Sequence, residues 1–236
     1  MSLAGQTALV TGGSKGIGRA ICLALAKEGA NIIIAARNEN EIKETMDKLK
    51  EMGSKSLAIQ ADVRSEEDVR RLISMTIDKC GKLDILINNA GVAYKKRLEE
   101  TTLEEYEKII DTNLKGVFLC TKYAIPYIRG SKNGKIINIS SVGGLHGLPE
   151  FSVYCASKFG VNGITESIAF ELEGEIKVYT VCPGAVDTDM YRSLFSNIPP
   201  LKPEHIAEKV LELASPDSKV TSGKIIEIQA PPVPQL

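Results

Sequence analysis

Short apolar runs alternate along this chain with longer stretches in which apolar residues recur every three or four positions. The short runs predict strands at 8–10, 31–35, 56–60, 85–87, 135–139, 177–181 and 224–228. Ile32-Ile33-Ile34 and Ile85-Leu86-Ile87 are apolar at every position, as strands covered on both faces should be. The longer stretches predict helices near 17–28, 39–52, 65–80, 102–129, 152–173 and 203–214. Thr101 or Thr102, with Glu104 or Glu105 three residues on, reads as a capping box that opens the fourth helix. Pro126 should kink or end that helix. Gly29, Gly53 and Gly81 follow the first three helices, where a C-terminal glycine is expected. Regular alternation of strand and helix implies an α/β protein with a doubly wound parallel sheet, helices on both faces and right-handed crossovers. No linker or internal repeat divides the chain, so residues 1–236 read as one domain.

Composition narrows the function classes. The 236 residues are 43% hydrophobic and 25% charged, as expected of a globular protein. A net charge of −1 gives no electrostatic reason to bind nucleic acid or an anionic membrane. No apolar run approaches the roughly 18 residues that span a bilayer, and the N-terminus enters the first strand with no signal-peptide pattern. The cysteines at 22, 80, 120, 155 and 182 are odd in number and never in C-x-x-C spacing. With only two histidines they form no zinc motif. The expected compartment is the cytoplasm, with no metal.

The candidate chemistry begins at the first strand, which ends in Thr11-Gly12-Gly13-Ser14-Lys15-Gly16-Ile17-Gly18 before a helix. Glycines there let the backbone turn tightly and approach a pyrophosphate seated on the helix N-terminus. The second strand ends in Ala35-Ala36-Arg37-Asn38. A carboxylate there would favour NAD by binding the ribose hydroxyls. The guanidinium of Arg37, with Lys15 as a second cation, instead suits a 2′-phosphate. The expected cofactor is NADP(H).

Tyr154 and Lys158 are four residues apart on a predicted helix and so share a face. An ammonium beside a phenol favours the phenolate, and lowering a pKa of about 10 would let the tyrosine trade protons near neutrality. Y-x-x-x-K alone is weak evidence, since many helices carry it on their surface. Ser141, thirteen residues before Tyr154, and the glycine turn add weight.

Together these motifs closely resemble the classical short-chain dehydrogenase/reductase family. The resemblance spans nearly the whole chain: the Thr11–Gly18 turn, Asp62-Val63, Asn88-Asn89-Ala90-Gly91, Asn113, Ile139-Ser140-Ser141, Tyr154 to Lys158, and Pro183-Gly184-Ala185-Val186-Asp187-Thr188. It implies a single-domain Rossmann fold with a seven-stranded parallel sheet. By resemblance, Tyr154 is the general acid in reduction, Ser141 positions the carbonyl, and Lys158 holds the nicotinamide ribose and depresses the tyrosine pKa. Asn113 anchors a water linking Lys158 to solvent, and Ser140 is a packing residue. Gly12, Ser14, Lys15, Gly16, Ile17 and Gly18 serve the phosphates. Asp62 and Val63 face the adenine, although Asp62 could equally be an acid at a helix N-terminus. Asn89 and Gly91 serve the adenosine-side ribose, and Pro183, Gly184, Val186 and Thr188 the nicotinamide.

Other residues draw blander readings. Cys155 reads as packing, His146 as solvated loop, and Asp187 with Asp189 lacks a third metal ligand. Residues 187–202 are expected to form a short lid, made apolar by Tyr191, Leu194, Phe195 and Ile198. The chain runs into Gln229-Ala230-Pro231-Pro232, where many relatives have Asp-Gly-Gly. Relatives usually form tetramers through the fourth and fifth helices, so a homodimer or homotetramer is expected. The leading reading is an NADPH-dependent reductase similar to 3-oxoacyl-acyl-carrier-protein reductases, acting on a small carbonyl substrate. Arg129, Lys132 and Lys135 are compatible with an acidic carrier protein. The alternatives are a dehydrogenase of a free alcohol, sugar or polyol, and a nucleotide-sensing protein without catalysis.

Overall fold

A computed structural model describes residues 2–229; Ala230, Pro231 and Pro232 of the tail lie outside the described residues. Among the described residues seven strands form one sheet: β1 (Thr7–Thr11), β2 (Asn31–Ala36), β3 (Ser56–Gln60), β4 (Ile85–Asn88), β5 (Lys135–Ile139), β6 (Lys177–Pro183) and β7 (Ile225–Ile228). Every pairing is parallel, in the order β3-β2-β1-β4-β5-β6-β7. The chain starts in the middle, winds outward through β3, then returns to build the other half from β4. Loops diverge where that order reverses, between β1 and β4, and a crevice opens there at the carboxyl ends of the strands.

Alternation along each strand explains the two helical layers. Ala8 and Val10 of β1, with Ile32 and Ile34 of β2, enter one core beneath α1 (Gly16–Lys27) and α8 (Pro203–Ala214). Leu9, Ile33 and Ala35 enter the opposite core, with α3 (Glu66–Cys80) and α5 (Gly116–Ile128). The remaining helices are α2 (Glu39–Glu51), α4 (Leu103–Ile110), α6 (Ser152–Glu171) and α7 (Asp189–Leu194). None among the described residues is long and apolar enough to cross a membrane.

Local signals act where the sequence puts them. Thr102 and Glu105 close the capping box of α4. Gly29, Gly53 and Gly81 take left-handed φ values of 89°, 70° and 73° after their helices. The predicted fourth helix has more structure than expected. A π-turn over Asp111–Lys115 joins α4 to α5, and Pro126 occupies the last turn of α5, which ends two residues later. Such a turn inserts one extra residue per loop of hydrogen bonding and often sits at a functional site. Here it carries Asn113.

Candidate active site

A cleft of about 1060 Å³ runs along the carboxyl edge of the sheet. Its walls include Gly12 and residues 14–18, Arg37, Asp62, Val63, Asn89, Gly91, Tyr154, Lys158 and Thr188. The fold therefore gathers most of the predicted site from six separate segments. Five predicted residues lie off the wall. Asn113 is buried behind it, Ser141 stands beside Tyr154, and Pro183, Gly184 and Val186 are held by β7 and the lid. The Gly184 N–H donates to the Ile228 carbonyl, and Val186 bridges to Leu201.

At one end of the cleft the glycine turn is locked by its neighbours. A Cβ on Gly18 would stand 2.1 Å from the Gly12 carbonyl oxygen, so only glycine lets the turn close. The Asn89 amide donates to the carbonyls of Thr11 and Gly12, and the Thr11 hydroxyl accepts from the N–H groups of Asn89 and Ala90. Asn89 thus holds the turn against β4 with the same amide expected to serve a ribose. Arg19 donates to the Ser14 carbonyl and to Thr45. No side chain caps α1 and its first turn holds no acid. Free N–H groups at a helix N-terminus beside a glycine turn suit an anionic phosphate. The residues present fit a dinucleotide.

Charges around the adenosine end are arranged unevenly. The Lys15 amine pairs with Glu41 at 2.9 Å and approaches Asp189 at 3.8 Å. Hydrogen bonding to Glu41 raises the Lys15 pKa. The Ser14 hydroxyl, expected to face a phosphate, also donates to Glu41. Arg19 pairs with Glu44 at 2.9 Å. Arg37 is exposed and, among the described residues, has no ion-pair partner. Asp62 departs from expectation: Arg64 grips its carboxylate through three guanidinium contacts of 2.6–3.0 Å. Burial pushes the Asp62 pKa up, but the Arg64 contacts outweigh it and the net shift is downward. Its carbonyl also accepts from the N–H of Ser65, the N-cap of α3, so the helix-start role is present too.

Tyr154 and Lys158 occupy the other end, on the first turns of α6. The Lys158 amine donates to the Ile139 carbonyl at 2.9 Å and lies 5.8 Å from the centre of the Tyr154 ring. The expected depression of the tyrosine pKa is not what this geometry gives. Burial raises it, and a hydrogen bond with Ser141 offsets only part of that rise. Burial also lowers the Lys158 pKa to about 8. Desolvation penalises both charged forms, and at this separation the lysine does not reverse it. A phenol that keeps its proton at neutral pH can donate one.

Asn113 makes direct side-chain contacts that the expected role did not include. Its Oδ1 accepts from the Val92 N–H at 2.8 Å, and its Nδ2 donates to the Val92 carbonyl and to Ser157 Oγ. Ser157 in turn donates to the Tyr154 carbonyl. The side chain therefore ties the segment after β4 to α6. A Cβ on Gly91 would come 3.4 Å from Asn113 Oδ1 and 3.7 Å from Lys158 Nζ, so glycine keeps that corner open. Ser140 packs as expected, its hydroxyl on the Lys158 carbonyl.

The segment expected to form a lid reaches α6 through aromatic rings. Tyr191 stacks on Phe195 at 4.7 Å, Phe195 on Phe151 at 5.8 Å, and Phe151 meets Tyr154 edge-on at 6.0 Å. Ile198 instead points to solvent. Asp187 and Asp189 are engaged by Arg192 and Lys15. Cys155 is buried and His146 exposed.

Sequence reading missed Glu41, Arg64, Ser157 and a buried polar chain from Asn88 through Asn138 and Thr165 to Thr180. The Arg64 contact depends on a local loop turning back on Asp62, whereas those of Glu41, of Ser157 with Asn113 and of the polar chain join distant segments, and only the recurrence of polar residues inside apolar strands signalled the last. The basic residues considered for a carrier protein are misplaced for that task. Arg129 pairs with Glu175, and Lys135 is buried with its amine on Asn133. They lie around the start of β5, at the amino edge of the sheet opposite the cleft.

Residues 6–199 match the model of the short chain dehydrogenase family. The chain belongs to that family. As a short-chain dehydrogenase it is an oxidoreductase of carbonyl and alcohol groups that uses a nicotinamide cofactor. It is similar to the 3-oxoacyl-acyl-carrier-protein reductase FabG of Thermotoga maritima, 35% identical over 97% of this chain and 98% of that protein. The FabG of Staphylococcus aureus is 38% identical, over 94% and 96% respectively. The solved structure of a dehydrogenase/reductase from Sinorhizobium meliloti 1021 matches with a TM-score of 0.89 and 34% identity, over 96% of this chain and 94% of that one.

Proposed function

We propose that this short-chain dehydrogenase is an NADPH-dependent reductase of a ketone, in the first instance a 3-oxoacyl thioester presented by an acyl-carrier protein. The carrier and the acyl class come from the names of its relatives. The single observation that carries the reading is Tyr154 on the cleft wall with Ser141 hydrogen-bonded beside it, so that one phenol O–H can reach a carbonyl oxygen that the serine orients. The four residues proposed for catalysis are Asn113, Ser141, Tyr154 and Lys158.

Bound NADPH supplies the hydride, and the chain supplies orientation and the proton. The Ser141 hydroxyl orients the substrate carbonyl and Tyr154 protonates its oxygen. Lys158, fixed by the Ile139 carbonyl, stabilises the phenolate left behind and holds a ribose. Asn113 acts from behind by fixing Val92 and Ser157. Arg37 and Lys15 face the 2′-phosphate, and α1 offers its N-terminus to the pyrophosphate. Gly12, Gly16, Ile17, Gly18, Asp62, Val63, Asn89, Gly91 and Thr188 line the same cleft, and Pro183, Gly184 and Val186 are proposed to serve the nicotinamide from beside it.

The aromatic lid favours an acyl or alkyl substituent over a sugar or polyol, whose hydroxyls would lose water without gaining partners. Exposed Leu103, Tyr106, Phe118, Phe159 and Phe170 on α4, α5 and α6 support a homodimer or homotetramer. The free cysteines fit a reducing cytoplasm. Steady-state assays of acetoacetyl thioesters against free ketones and polyols, with both cofactors, test the reading. Turnover of polyols alone would overturn it.

A further inference from the structure

Three cations line the adenosine end of the cleft: Lys15, Arg19 and Arg37. Two are already neutralised from α2, Lys15 by Glu41 and Arg19 by Glu44. Glu41 also lines the cleft and accepts from Ser14, so its carboxylate sits among the groups a 2′-phosphate would approach. We propose that Glu41 is a specificity-determining residue, a built-in anion that competes with the 2′-phosphate for Lys15 and tempers the preference for NADPH.

This inference rests on the NADPH reading above. A 2′-phosphate drawn to Lys15 must displace or share the contact made by Glu41, and the two anions repel each other. The adenosine of NADH presents hydroxyls there and meets no such repulsion. Arg37, unpaired among the described residues, is left as the main phosphate ligand. Exposed ion pairs are worth at most about 1 kcal/mol, so the competition amounts to about fivefold in affinity.

The test is calorimetric binding of NADPH and NADH to the intact protein, compared as a ratio of Kd values. Glu41→Gln keeps an acceptor for Ser14 but removes the charge, on a partly exposed helix face where the fold should tolerate it. Its NADPH Kd should fall by about fivefold while that for NADH stays within about twofold. Adding Lys15→Met to Glu41→Gln should erase the gain, because Lys15, then opposed only by the more distant Asp189, is its source. An unchanged ratio in Glu41→Gln, or a gain that survives in the double variant, overturns the proposal. The underlying reading fails separately: Arg37→Ala would then leave the wild-type ratio unmoved.

Discussion

The Lys158 amine donates to the Ile139 carbonyl at 2.9 Å, which anchors α6 to the end of β5 and leaves the ammonium 5.8 Å from the Tyr154 ring centre. That hydrogen bond sets the position of the lysine, while burial keeps the tyrosine neutral.

Removing the phenolic hydroxyl should therefore abolish proton delivery with little structural cost. Tyr154→Phe keeps the edge-on contact with Phe151. Its kcat should fall by about 10²–10⁴-fold, the usual worth of a general acid. NADPH binding measured by fluorescence should stay within about twofold of wild type.

Burial of Lys158 carries a stability cost with a defined pH window. Its folded-state pKa is lowered from 10.5 to about 8. Below about pH 8 the ammonium is charged in both states, and the folded protein bears the full cost of burying it. Between that pH and 10.5 the folded state deprotonates first and the cost fades. Lys158→Met should raise the melting temperature at pH 7, with the gain shrinking toward pH 10.5, while turnover is lost. A gain that is constant across that range would refute the burial argument.

Asn113 should matter to stability as well as to rate. Asn113→Ala leaves the Val92 N–H and carbonyl and the Ser157 hydroxyl without their side-chain partner. Unsatisfied buried groups cost about 1–3 kcal/mol each, so urea unfolding should show a loss of at least about 2 kcal/mol. A residue that only anchored a water would leave the midpoint near wild type.

Phe151 links Phe195, in the segment proposed as a lid, to Tyr154. Phe151→Ala should loosen Phe195 and raise KM by about tenfold, with a smaller effect on kcat, as expected when an apolar contact worth about 1–2 kcal/mol is removed from ground and transition states alike. Steady-state kinetics on a single ketone would separate the two constants.

The sheet was legible in the sequence because Ile32-Ile33-Ile34 and Ile85-Leu86-Ile87 can be satisfied only between two apolar layers. The cofactor turn was legible because glycine, helix start and strand end are local features. The π-turn at Asn113 was not, since one such turn shifts the apolar spacing by only about one residue, too little to show over five positions. Nor were the partners of Lys15 and Asp62: Glu41 lies 26 residues from Lys15, and the Arg64 contact depends on a loop turning back on itself. Lys135 illustrates a third limit. A lysine opening a strand reads as exposed, yet here it is buried on Asn133.

The central claim is that Tyr154 gives a proton to a carbonyl while NADPH is consumed. Its most direct test is oxidation of NADPH with acetoacetyl thioester, in wild type and Tyr154→Phe side by side. Wild type should turn over steadily, faster with NADPH than with NADH, and the variant should bind NADPH but leave it unoxidised. Equal turnover by the two proteins would contradict the account.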